Sequence, residues 1–212
     1  MNSREMNFER WNFYTHITGV VLGILFAIML IYPAAKEGNI TKIVSFSIYS
    51  ICFILLFLSS SIYHITSNKK VKRILRIFDH VSIYFFIAGS YTAILMTVLD
   101  GWLRILTMAI IWACVIIGTN YKIFTYKNYD KYKGLSTLLY IIMGWLAVFI
   151  IKPILMNTSI YFLLWIVAGG ILYTVGTYFY KSKKFYYNHV IWHFFVLIAA
   201  ICHFIGIYLY LS

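Results

Sequence analysis

Two histidines four residues apart, His189 and His193, open a run of apolar residues long enough to cross a membrane. On a helix that spacing turns both imidazoles to one face, where they can grip a single metal ion. Ser60 and His64 repeat the spacing near the end of a second apolar run, and Asp79 and His80 stand near the start of a third. Ionisable side chains inside a membrane are costly and mark candidate functional sites. Asp79 is the acidic residue placed well inside a run, and a lone buried carboxylate needs a cation or a hydrogen-bond donor beside it. Three imidazoles with an open fourth position are the usual catalytic zinc design, in which the ion lowers the pKa of a water to about 7. A neighbouring carboxylate can then take the proton. Ser60, His64, Asp79, His189 and His193 would form a chemically complete hydrolytic site. Spacing alone also admits His16 or His80 as the third imidazole. His16 shares a helix face with Glu9 and Asn12, which suits a supporting role better than ligation. His80, about 100° round the helix from Asp79, is expected to face a different neighbour. His203, roughly 15 Å beyond His193 along a helix, is expected to be a satisfied core histidine.

The elements that must position these groups are membrane spans. The chain is 62% hydrophobic and 11% charged, and its repeated apolar runs are near the length a bilayer demands. They fall near 13–34, 43–66, 75–98, 103–120, 134–152, 159–180 and 188–211, the fourth being the shortest. The expected fold is an all-α membrane protein, a seven-transmembrane helix bundle forming one domain over 1–212. Pro33 and Pro153 fall at run ends. Gly19, Gly23, Gly169, Gly170 and Gly176 are expected to be helix-packing contacts. Cys52, Cys114 and Cys202 stand singly in apolar runs, which argues against a disulfide framework or a thiolate zinc site. The polar start, Met1 to Arg10, lacks the pattern of a cleavable signal, so the first run is expected to stay as an anchor.

The net charge of +12 sits in the short gaps between runs, which is topology signal and headgroup contact rather than a nucleic-acid-binding stripe. With seven spans, Arg4, Arg10, the cluster Lys69 to Arg76, the gap from Lys122 to Lys133, and Lys181, Lys183 and Lys184 share one side. Lys36, Lys42, Arg104 and Lys152 occupy the other. The positive-inside rule then places the N-terminus in the cytoplasm and the C-terminus outside. His16, Ser60, His64, Asp79, His80, His189 and His193 would all lie near the inner face. This orientation argues against a G-protein-coupled receptor, and the absence of lysine from the last run argues against a retinal protein.

Three motifs carry a family resemblance. They are Glu9-x-x-Asn12-x-x-x-His16-x-x-Gly19; Ser60-x-x-x-His64 followed by Phe78-Asp79-His80-x-Ser82; and His189-x-x-x-His193-Phe194-x-Val196 with His203 beyond. In this order they cover nearly the whole chain, which resembles the hemolysin III branch of the progestin and adipoQ receptor superfamily. The resemblance implies a zinc ion held by His64, His189 and His193, with Asp79 on the zinc-bound water and Ser60 beside it. It implies a multi-pass protein of a bacterial plasma membrane whose partners are membrane lipids, one of them a substrate or ligand. The adiponectin-receptor members of the superfamily look like ceramide amide hydrolases, so a lipid amide or ester hydrolase is the leading expectation. The alternatives are a regulator of membrane lipid state with a structural metal site, and a pore-forming cytolysin. A pore would need polar groups through the full depth of the bilayer, whereas Val196 to Ile201 of the last run are all apolar.

Overall fold

The structure, a computed structural model, describes residues 3–182, 184 and 186–212. The side chain of Arg4 and the whole of Lys183, both counted among the positive residues above, lie outside the described residues. The order is α1 (Ser3–Lys36), α2 (Ile40–Ile65), α3 (Lys69–Val98), α4 (Gly101–Thr125), α5 (Tyr129–Trp145), α6 (Ile151–Asn157), α7 (Ile160–Lys181) and α8 (Asn188–Tyr210). Among the described residues there is no strand. Among the described residues seven segments are long and apolar enough to cross a membrane, the fifth being the α5–α6 stretch Lys131–Asn157.

Short polar connections set the helix boundaries. Asn39 accepts from the Lys42 backbone N–H at 3.1 Å and starts α2. Asn68 accepts from the N–H groups of Lys70 and Val71 at 3.0 and 3.3 Å and starts α3. Ser159 does the same for Phe162 at the head of α7. Each such cap is worth about 1 kcal/mol. Gly38 at φ +66° and Gly101 at φ +62° occupy the left-handed region and let the chain turn between neighbouring helices. The helices outrun their apolar cores. The fourth, expected to be the shortest, continues to Thr125, and α3 begins at Lys69, because polar residues near the headgroups can continue a helix without a desolvation cost. Pro33 lies inside the last turns of α1, at the end of the first apolar run.

α3 is the central helix: most of its apolar stretch is buried inside the bundle, whereas the apolar stretches of α4, the fifth span and α7 face mostly outward. Lipid is as apolar as leucine, so close packing rather than water exclusion holds such helices together. A Cβ on Gly19 would run into the Phe57 ring, one on Gly23 into Phe53, one on Gly169 into His203 and one on Gly176 into Phe195 and Trp192. Gly170 differs, since a Cβ there would meet Trp145 only at ordinary contact distance. Phe26 of α1 stacks on Phe204 of α8 at 3.5 Å between ring centres, and Phe53 of α2 meets Phe26 and Phe86 edge-on. Thus α1, α2, α3 and α8 lock into one aromatic core.

The fifth span is broken. Between α5 and α6, residues Leu146–Ile150 form a tighter 3-10 turn. Pro153 lacks the N–H that would bond Phe149, and its ring crowds that carbonyl. Tyr91 of α3 repairs part of the break. Its hydroxyl accepts from the Ala147 N–H at 2.6 Å and lies 2.9 Å from the Gly144 carbonyl, to which it can donate.

Candidate metal centre

The end of α2 and the starts of α1, α3 and α8 meet at one end of the bundle. α2 delivers Ser60 and His64 on one face, both buried. α8 delivers His189 and His193. The ring centres of His64 and His193 are 4.9 Å apart, those of His64 and His189 5.4 Å, and those of His189 and His193 4.4 Å. One nitrogen from each ring lies within 4.8 Å of the other two. Ligands bound tetrahedrally to zinc at about 2.0–2.1 Å stand roughly 3.4 Å apart, so side-chain rotation of about 1.5 Å or less would close the rings on one ion.

The tautomers suit ligation. Nδ1 of His64 sits 2.6 Å from Oε2 of Glu9, and a carboxylate can only accept, so Nδ1 carries the proton. The lone pair is then on Nε2, which is buried and has no hydrogen-bond partner. A buried imidazole nitrogen left bare in this way is what a metal would satisfy. Nδ1 of His193 lies 3.5 Å from the Thr15 hydroxyl, which already donates to the Asn12 carbonyl at 2.9 Å. That hydroxyl can therefore only accept from His193, which again leaves Nε2 as the lone-pair nitrogen.

The other sequence candidates separate cleanly. His80 turns away, with Nδ1 2.7 Å from the Arg76 carbonyl and Nε2 3.1 Å from the Tyr180 hydroxyl. His16 packs against His193 at 3.9 Å between ring centres but is not one of the three clustered nitrogens. Both its nitrogens are buried without partners, as are both amide atoms of Asn12. Asp79 and Ser60 line one cavity with His16, His189 and His193, and the Ser60 hydroxyl is buried and unpartnered. Asp79 also places Oδ2 3.4 Å from Nδ1 of His80.

The cavity holds about 180 Å³. Its wall on α3 runs from Asp79 to Ile94, a rise of roughly 22 Å at 1.5 Å per residue. Beyond the polar end it is lined mostly by aliphatic and aromatic side chains of α3, the broken fifth span, α7 and α8. His203 lies on its far wall. One of its nitrogens, Nε2, is 3.1 Å from the Ile166 carbonyl, but Nδ1 is unpartnered, so the expectation of a satisfied core histidine holds for half the ring.

Two features were not legible in the spacing of polar residues. Lys122, counted above with the headgroup lysines, is 3% exposed and lies over the Tyr140 ring at 5.6 Å. The signal was present: Ile111, Val115, Gly118 and Lys122 share one helical stripe, and all four are buried. The second is the contact of Glu9 with His64, across 55 residues.

Seven apolar spans with histidines clustered at one end of the bundle define a multi-pass membrane protein with a candidate metal centre. The chain belongs to the haemolysin-III-related family, whose model matches residues 4–204. It is 42% identical to Hemolysin-3 of Bacillus cereus over 186 residues, which is 88% of this chain and 84% of that protein. It is likewise 42% identical to the Hemolysin-3 homolog of Bacillus subtilis (strain 168), covering 88% and 86%. It is 32% identical over 206 residues to the human Monocyte to macrophage differentiation factor, covering 94% and 83%.

Proposed function

We propose that the chain is a zinc-dependent hydrolase that cleaves an amide or ester bond of a lipid within the membrane. The observation that carries this reading is the His64–His189–His193 cluster, two of whose rings, His189 and His193, line the polar end of a long apolar cavity. Bound there, zinc would supply Lewis acidity toward a carbonyl and an activated water. The rest falls to the chain itself. The apolar walls take the hydrocarbon tail and keep bulk water out. Asp79, on the same wall as the cluster, accepts the proton of the attacking water and returns it to the departing amine or alcohol. Ser60, whose buried hydroxyl lies beside Asp79 on the cavity wall, donates to the carbonyl oxygen as negative charge builds on it. The positive residues around this end support, by the positive-inside rule, a site at the cytoplasmic face of a bacterial plasma membrane.

A purely structural metal site would favour a fourth protein ligand. Among the described residues the cluster has three, and neither Asp79 nor His80 joins it. That difference favours the hydrolase over the regulator of lipid state. The reading is tested on detergent-purified protein by elemental analysis together with mass-spectrometric assay of fatty acid released from ceramide and from phospholipid. About one zinc per chain is expected, with release abolished in His64→Ala. Zinc-bearing wild-type protein that releases fatty acid from neither substrate class would defeat the hydrolase reading while leaving the metal in place.

A further inference from the structure

Glu9 lies in the part of α1 that precedes its apolar run, yet it reaches the buried end of α2. One carboxylate oxygen, Oε2, sits 2.6 Å from His64 Nδ1, and the other, Oε1, accepts from Lys72 Nζ at 2.6 Å. Lys72 also lies over the Tyr63 ring at 5.0 Å, beside His64 in the chain. Three helices are tied by one side chain: α1 through Glu9, α2 through His64 and α3 through Lys72. We propose that Glu9 is a positioning residue of the metal centre, clamped by Lys72 so that it fixes His64 with Nε2 facing His189 and His193. The inference rests on the metal reading above, but not on hydrolysis.

Two physical effects act through this contact. The first is orientation. An imidazole with no outer partner can present either nitrogen, whereas a short bond to a carboxylate selects one tautomer and one ring plane. Lys72 holds Glu9 in turn, so the carboxylate cannot swing out to solvent without breaking a second charge-assisted bond. The second is charge. Three neutral imidazoles bring no negative charge to a bound dication, and Glu9, partly offset by Lys72, adds from one ring away a smaller contribution to that of Asp79. His193 receives a weaker version of the same help from α1, through the Thr15 hydroxyl at 3.5 Å. The first turns of α1 therefore belong to the centre, although none of their described side chains is in the ligand cluster.

The test compares Glu9→Ala, Glu9→Asp, Glu9→Gln and Lys72→Met in the full-length protein. Zinc affinity is read by chelator competition, and ligand geometry by the visible spectrum of the cobalt(II)-loaded protein. Outer partners of metal-bound histidines typically contribute about 10–100-fold in affinity, and Glu9→Ala is expected to lose that much. Glu9→Asp keeps the charge but falls short of the ring, and is expected to lose nearly as much and to shift the cobalt bands. Glu9→Gln keeps an acceptor at the right reach, and is expected to recover most of the affinity and a near-native spectrum. Lys72→Met should fall between Glu9→Gln and Glu9→Ala. If Glu9→Ala does not fold, the order of Glu9→Gln above Glu9→Asp still decides. Wild-type affinity and spectrum in Glu9→Asp and Glu9→Ala would overturn the proposal while the metal reading stood. Wild-type protein that binds no metal would remove both.

Discussion

Removing one oxygen from Tyr91 should cost the protein far more than removing one from Tyr49. The Tyr91 hydroxyl accepts from Ala147 N–H at 2.6 Å and lies 2.9 Å from Gly144 O, at the one place where the described part of the fifth span departs from α-helix inside its apolar stretch. In Tyr91→Phe that N–H loses its partner where no lipid group can replace it. Two lost hydrogen bonds at about 0.6–1 kcal/mol each, plus part of the 1–3 kcal/mol cost of an unpaired buried donor, come to roughly 2 kcal/mol. That is about a thirtyfold shift in the folded-to-unfolded ratio. Tyr49 is fully buried too, but its hydroxyl has no hydrogen-bond partner, so Tyr49→Phe should be neutral or slightly stabilising. The assay is reversible unfolding in mixed detergent, read by circular dichroism, with both variants measured beside wild type. Equal stability of the two variants would refute the claim that Tyr91 stitches the broken span.

Other substitutions address packing and the cavity. Gly19→Val should destabilise by about 1–3 kcal/mol, because its side chain would displace the Phe57 ring; unchanged unfolding would show that α1 and α2 do not meet there. Val167→Trp should fill the apolar part of the cavity and lower lipid turnover by tenfold or more at unchanged zinc content, and a parallel loss of zinc would show that cavity and centre are not separable. His189→Ala should reduce bound zinc to background in elemental analysis while helix content is kept, since it takes away one of the three clustered nitrogens.

The seven spans were readable because bilayer thickness imposes a run length that composition alone reveals. Their ends were not, since a helix such as α3 continues through Lys69 and Lys70 where headgroups accept charge. The break after Trp145 was hidden for another reason. Pro153 looks like the end of a run, and the group that accommodates the turn, Tyr91, comes from a different helix. Within the site, helical spacing brought His189 and His193 to one face and Ser60 and His64 to another. It could not choose among His16, His64 and His80, because that choice depends on where the rings lie in the folded bundle and on which ring nitrogens have other partners: both nitrogens of His16 are free, yet neither falls in the three-ring cluster. His80 has the Arg76 carbonyl and Tyr180, whereas His64 has Glu9 on one side and nothing on the other. Lys122 is hidden from a reading by hydropathy because the apolar run of α4 ends near residue 120, one turn before its buried stripe does.

The central claim concerns one ion and three rings. Crystals of the protein purified without added metal, measured on both sides of the zinc absorption edge, would locate that ion directly. The account predicts a single anomalous peak of zinc between His64, His189 and His193, about 2.0–2.1 Å from one nitrogen of each. A map in which those rings point apart, or in which the zinc signal lies elsewhere in the chain, would contradict it.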